Sequence, residues 1–131
     1  MEPRELIHYW LESSGRDMET MEKLYKMEEY PWALFLGQLV LEKTLKAVYT
    51  QNVGLEVPRI HDLVRLAILA RLEVPQAKVE SMDVISSFNL NTRYPDFKLS
   101  FQHQCTKEFT EKYINTIRSL HQWLLSLINM K

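Results

Sequence analysis

The stretch from Trp32 to Ala47, WALFLGQLVLEKTLKA, constrains this chain more than any other part of it. At about 100° per helical residue, Leu34, Leu41, Leu45 and Val48 share one face, while Leu36, Leu39, Val40 and Ala47 fill much of another. The only sustained polar stripe is Gln38, Glu42 and Lys46. A helix that is apolar round most of its circumference has to be covered on several sides, which predicts the centre of a helical bundle. Lys43 falls outside the polar stripe, among Leu36, Leu39 and Ala47, and is a first candidate for a site.

The flanking segments supply the cover. Pro3 suits a helix's first turn, and Leu6, Ile7, Trp10, Met18, Met21, Leu24 and Tyr25 recur at three- and four-residue steps to about Lys26, with a local irregularity allowed near Gly15. Glu28 to Pro31 predicts a break, since the residue before a proline is pushed out of helical geometry. The central helix should end near Gln51, ahead of Asn52, Val53 and Gly54. Asp62 can cap a third helix with Leu63, Leu66, Ala67 and Ala70 inward, and Pro75 can open a fourth with Val79, Met82, Ile85 and Phe88 inward. NLNTRYPDFKLS reads as a polar loop before a final helix, which Thr106 can cap or join early, in which Phe109, Tyr113, Ile117, Leu120, Leu124 and Leu127 repeat. No strand period persists, so the pattern predicts an all-α, four- to five-helix up-and-down bundle formed as one domain over residues 1–131.

Composition narrows the function. A formal net charge of -1 argues against a strongly basic nucleic-acid surface, although it leaves room for a local contact. The single cysteine, Cys105, excludes an intramolecular disulfide and a multi-cysteine zinc site. The four histidines are scattered without HxxxH or HExxH spacing, so no metal or other cofactor is expected. No stretch reaches the roughly 18 apolar residues of a membrane span, and the amino terminus lacks a signal-peptide pattern; the chain reads as cytoplasmic. Phosphate-loop, dinucleotide-binding and nucleophile-elbow motifs are also missing.

Four places can carry chemistry. Lys43 can offer a cation to a phosphate or an acidic partner, or its stem can cover apolar groups while the ammonium reaches water or a carboxylate. Glu42 and Lys46 stand in the favourable i, i+4 order, which predicts a surface ion pair. His61 can exchange protons near neutral pH or contact an anion, or it can bond nearby backbone while Asp62 caps the helix. In Arg93-Tyr94-Pro95-Asp96 the arginine can grip a phosphate and the tyrosine stack on a base, or the arginine can pair with a carboxylate and the Tyr-Pro unit fix a turn. The carboxylates Glu19, Glu22, Glu28 and Glu29 read as solvation.

Taken together, a first helix with Trp10, then FLGQLVLEKTLKA, IHDLVRL after a proline-containing loop, TRYPD and a long last helix resemble the HEPN domain, over nearly the whole chain. The order EKxLKA, HDL, RYP carries the resemblance. It implies an α-helical bundle, commonly a homodimer, that binds a nucleotide or RNA and is often encoded beside a minimal nucleotidyltransferase, in two-component modules that include toxin and antitoxin pairs. On that reading Lys43, Lys46 and Arg93 are phosphate contacts, His61 a neighbouring polar contact and Tyr94 a stacking side chain, with EKTLKA forming one wall of a cleft opposite Arg93. Some members are metal-independent ribonucleases with an R-x4-6-H motif, whose arginine and histidine serve the scissile phosphate. This chain departs from it: Lys98, Leu99 and Ser100 stand where the histidine should follow Arg93, and His103 lies beyond. The spacing therefore points away from catalysis, with an Arg93/His103 ribonuclease and an interaction-only helical module as the alternatives.

Overall fold

A computed structural model describes residues 1–129, and among these it contains six α-helices and no strand. They are α1 (Pro3–Lys26), α2 (Tyr30–Asn52), α3 (Leu63–Leu69), α4 (Gln76–Arg93), α5 (Pro95–Gln104) and α6 (Lys107–Ser126). The central segment behaves as its pattern requires: α2 contacts each of the other five helices, and Trp32 is its only exposed residue.

Local chemistry sets the ends of the helices. Glu5 accepts the Glu2 N–H at 3.1 Å at the start of α1, which then runs through Gly15 without interruption. The chain reverses at Glu28, whose φ of 63° ends the helical path, and Pro31 sits in the first turn of α2. Asp62 accepts the Arg65 N–H at 3.1 Å, the cap that the sequence predicts, and Thr106 accepts the Phe109 N–H at 3.2 Å, which makes it the cap of α6 rather than a residue of its first turn.

The region expected to be a polar loop is instead helical. Asn89 to Arg93 complete α4, Tyr94 alone breaks the path with φ -94° and ψ 132°, and Pro95 opens α5. The proline explains both facts, because it disfavours the helical region for the residue before it and is pre-set for a first turn itself. One side chain anchors α5: Phe101 is buried with its ring 5.3 Å from that of Phe88, which also meets Phe109 and Tyr113. The bundle therefore has six helices rather than four or five.

Adjacent helices mostly alternate in direction. Trp10 of α1 lies beside Lys46, Asp17 beside Lys43 and Met21 beside Gly37, so α1 runs against α2. Lys78 at the start of α4 covers Trp123 near the end of α6, and Gln51 at the end of α2 donates to the Leu127 carbonyl. At Gly37, side chains of α1 and α6 press close against α2. A Cβ there would press well inside contact distance of Ile117 Cδ1 and lie 3.1 Å from Met21 Sδ. Glu22, read from sequence as solvation, clamps α1 to α6 instead: Arg118 donates from Nε at 2.8 Å and from Nη2 at 2.5 Å, holding the carboxyl below its usual range. Among the described residues no helix is long and apolar enough to cross a membrane.

The crowding at Gly37 sets the sign of a substitution there. Gly37→Ala gains about 1 kcal/mol of helix propensity but overpacks Ile117 at a cost of about 2 kcal/mol, a net loss of about 1 kcal/mol. Ile117→Val removes the crowding methyl, so Gly37→Ala made in that background should stabilise; urea denaturation of the four-member cycle reads the coupling. His121 is buried, and burial holds its pKa below the ordinary value of 6.5. The unfolded chain thus binds the proton first, and His121 costs stability progressively as pH falls below 6.5 toward the folded pKa. Denaturant midpoints between pH 7.5 and 5 should fall, and fall less in His121→Leu; Glu22 and Glu42, both lowered from 4.5, act only in a more acid window.

Candidate functional site

Glu42 is 4% exposed on the central helix, so its charge has to be met inside the protein. Three donors meet it. Gln38 Nε2, one turn earlier, donates to Oε1 at 3.1 Å, and His61 Nδ1 lies 2.7 Å from the same oxygen. Lys46 Nζ, one turn later, donates to Oε2 at 3.0 Å and stands 5.2 Å above the Trp10 ring. Burial works against the carboxylate, but the bonds from His61, Gln38 and Lys46 outweigh it and hold the Glu42 carboxyl below its usual range. The Glu42-Lys46 pair expected at the surface is thus an interior pair, because the stripe that carries it is itself covered.

The network continues across α4. Asn89, 4% exposed, donates from Nδ2 to Gln38 Oε1 at 2.9 Å. Arg93, one turn beyond, donates from Nε to the Asn89 carbonyl at 3.0 Å and from Nη2 to Asn89 Oδ1. Both of these acceptors are neutral. Arg93 has no carboxylate within ion-pair distance among the described residues, and its remaining guanidinium N–H groups make no hydrogen bond to them.

His61 and Arg93 lie 32 positions apart in sequence, yet they line one open cavity of about 490 Å³ between the head of α3 and the last turns of α4. Asp62, Ser86, Ser87, Asn89, Leu90 and Tyr94 complete the lining. The Arg93 guanidinium is 5.3 Å from the centre of the Tyr94 ring, which is 46% exposed. Ser86 is committed, accepting the Leu63 N–H at 2.9 Å and donating to the Met82 carbonyl. Asp62 brings a carboxylate to the lining, with Oδ1 turned to the Arg65 N–H. The volume falls within the range of small-molecule sites, which is roughly 300–1,000 Å³. A second cavity, near Pro31, Trp32, Lys98 and Phe101, measures about 130 Å³, too small for a nucleoside phosphate.

Three residues expected from sequence stand elsewhere. Lys43 turns to α1, 2.7 Å from Asp17 Oδ2 and 2.7 Å from Ser13 Oγ, and does not line the cavity; no residue of EKTLKA lines it, and Gln38 and Glu42 reach it only from behind, through Asn89 and His61. Lys46 touches the site only through Glu42. His103 is exposed in the last turn of α5, outside the cavity, and the segment that would have to loop out to join it to Arg93 is helical. Gln38 and Asn89 are the residues sequence reasoning missed. Gln38 carried a signal, since a polar stripe on a helix that must be covered all round cannot stay at the surface.

Other reactive groups do not form a rival centre. Burial pushes the Cys105 thiol up to about 12, which keeps it protonated at neutral pH. Among the described residues no three His, Cys, Asp or Glu side chains gather to hold a metal.

None of the curated proteins compared matches the chain. The structure is similar to the crystal structure of TT1696 from Thermus thermophilus, with a TM-score of 0.78 at 21% identity over 93% of this chain and 98% of that one. At that identity the likeness shows a shared fold. The family model of the HEPN domain matches residues 7–127, which takes in every helix that builds the cavity, and the chain belongs to the HEPN domain family.

Proposed function

We propose that this HEPN protein binds the phosphate of a nucleotide or of RNA in the cavity between α3 and α4, through Arg93 and His61, with Tyr94 as the stacking surface for a base. The observation that carries the reading is an arginine that has no carboxylate partner among the described residues, lining one cavity with a half-exposed imidazole. A guanidinium matches phosphate with paired, charge-assisted hydrogen bonds, and an exposed aromatic ring offers a face to any base.

The charge balance supports an anionic ligand. Lys46 neutralises Glu42 inside the protein, which leaves Arg93 as a cation of the lining without an ion-pair partner among the described residues. Asp62 brings an opposing charge to the same lining; both groups are exposed, so solvent and salt screen the opposition. Lys43, engaged with Asp17, is left out of the proposed contact set. Family membership supports the remainder of the reading: a cytoplasmic homodimer acting with a minimal nucleotidyltransferase partner in a two-component, toxin-antitoxin-like module. We place no ribonuclease step on Arg93 and His103, which the helical α5 keeps in separate surroundings.

Isothermal titration with ATP, GTP, CTP and a short single-stranded RNA tests the binding. At least one should bind, with an affinity that falls as salt rises. Arg93→Ala should weaken it by at least about tenfold, the scale of one charged hydrogen bond, whereas Lys43→Ala should stay within about twofold because it lies outside the cavity. Asp62→Asn keeps a good helix cap and removes the opposing charge, so binding should tighten by a few-fold. Absence of binding by all four ligands, together with no nucleotidyltransferase in pull-downs of the full chain, would overturn the reading. RNA cleavage in EDTA, lost in both Arg93→Ala and His103→Ala, would replace it with the ribonuclease.

A further inference from the structure

Two amides stand in series between the ends of this site, and their orientation is not free. A carboxylate only accepts hydrogen bonds, so at Glu42 Oε1 the Gln38 side chain has to present its NH2, which also donates to the His61 carbonyl at 3.0 Å. Gln38 Oε1 then points away from Glu42 and accepts from Asn89 Nδ2 at 2.9 Å. With its NH2 committed, Asn89 can offer Arg93 only an oxygen. A guanidinium only donates, so the far end demands the same arrangement. Turning either amide over would set oxygen against oxygen or N–H against N–H.

Gln38 is 0% exposed and Asn89 4%, so bulk water cannot relax such a mismatch, which would leave buried polar groups unsatisfied. The same carboxylate oxygen faces His61 Nδ1 at 2.7 Å. Nδ1 therefore carries a proton, and Nε2, on the other side, is the nitrogen left for a ligand: an acceptor in the neutral ring, and a donor to phosphate when the ring is protonated. The Arg93 fork and the His61 ring are the two termini of one directed chain of donors that converges on Glu42.

The geometry points to Gln38, Glu42 and Asn89 as positioning residues that hold Arg93 and His61 in place for a single phosphate between them. This inference rests on the reading of the cavity as a phosphate site. None of the three has to touch the ligand with its charge or its polar head; each acts by leaving one orientation open to the next. The arrangement is set before the ligand arrives, so ordering the two contact groups costs little on binding.

A double-mutant cycle on the full chain, with inorganic pyrophosphate as the probe, separates positioning from simple loss of structure. In the native background Asn89→Leu should weaken pyrophosphate binding about tenfold, although Arg93 is still present. In an Arg93→Ala background the same change should matter less than twofold, because Asn89 acts through Arg93. General damage to the bundle would weaken both backgrounds alike, and that result, or an affinity within twofold of native in Asn89→Leu, would overturn the proposal while leaving the phosphate reading intact. Should Asn89→Leu fail to melt cooperatively, Asn89→Ser, which leaves room for a water, enters the same cycle with the same criteria. Ring nitrogen-15 NMR of the native chain, at a pH where His61 is neutral, should show the proton on Nδ1; a predominant Nε2–H form would refute the Glu42 end of the chain without any ligand. Native protein that binds neither pyrophosphate nor any nucleotide or RNA would remove the phosphate reading and this role together.

Discussion

The interior carboxylate of Glu42 is the constraint on which the arrangement of this bundle turns. A charge on a helix covered from every side cannot rely on water, and isolating it would cost several kcal/mol. Its neighbours in α2, Gln38 and Lys46, satisfy it from within the helix, but the third donor, His61, comes from the segment leading into α3. The requirement to satisfy one carboxylate therefore also ties the segment leading into α3 to α2. Asn89 extends the demand to α4, so that three separately folded segments meet at a shared electrostatic need.

The apolar core and this polar network divide the work along α2. Near its start, Gly37 admits Met21 and Ile117 at close range, and the helix packs tightly against α1 and α6. Hydrophobic burial there is large and nondirectional, suited to stability. On the side facing α3 and α4, burial of polar groups adds direction at the expense of stability, because each donor must find its acceptor. The candidate cavity lies over that side, where Arg93 and His61 emerge from the network to solvent. The HEPN scaffold thus carries its candidate site on the part of the bundle that is polar within.

The segment joining α4 to α5 brings the tyrosine to this site. Pro95 forces Tyr94 into an extended conformation, and that single non-helical residue lets α4 end with Arg93 at the cavity while its neighbour exposes a ring beside it. Phe101 secures the following helix against Phe88. In a sequence with one deeply buried side chain in ten residues the helical period is nearly silent, which is why the segment reads as a loop. Its proline was visible; its anchor was not.

Fold class and most of the elements were legible in the chain before any packing was known. Periodicity is a property of neighbouring residues, so the central helix, the caps at Asp62 and Thr106 and the inward faces of α3, α4 and α6 could be read from it. The joint order of EKxLKA, HDL and RYP was enough to identify the family. The partners of the charged groups were settled only by packing. Whether Glu42 and Lys46 formed a surface pair or an interior one, whether Lys43 faced Arg93 or Asp17, and whether Glu22 met water or Arg118 all depended on residues distant in the chain. Charge and side-chain type are local, but the dielectric around a group and the donor that reaches it are set only when helices pack. For that reason the sequence could name His61 and Arg93 as candidates, and only the fold could put them at one cavity.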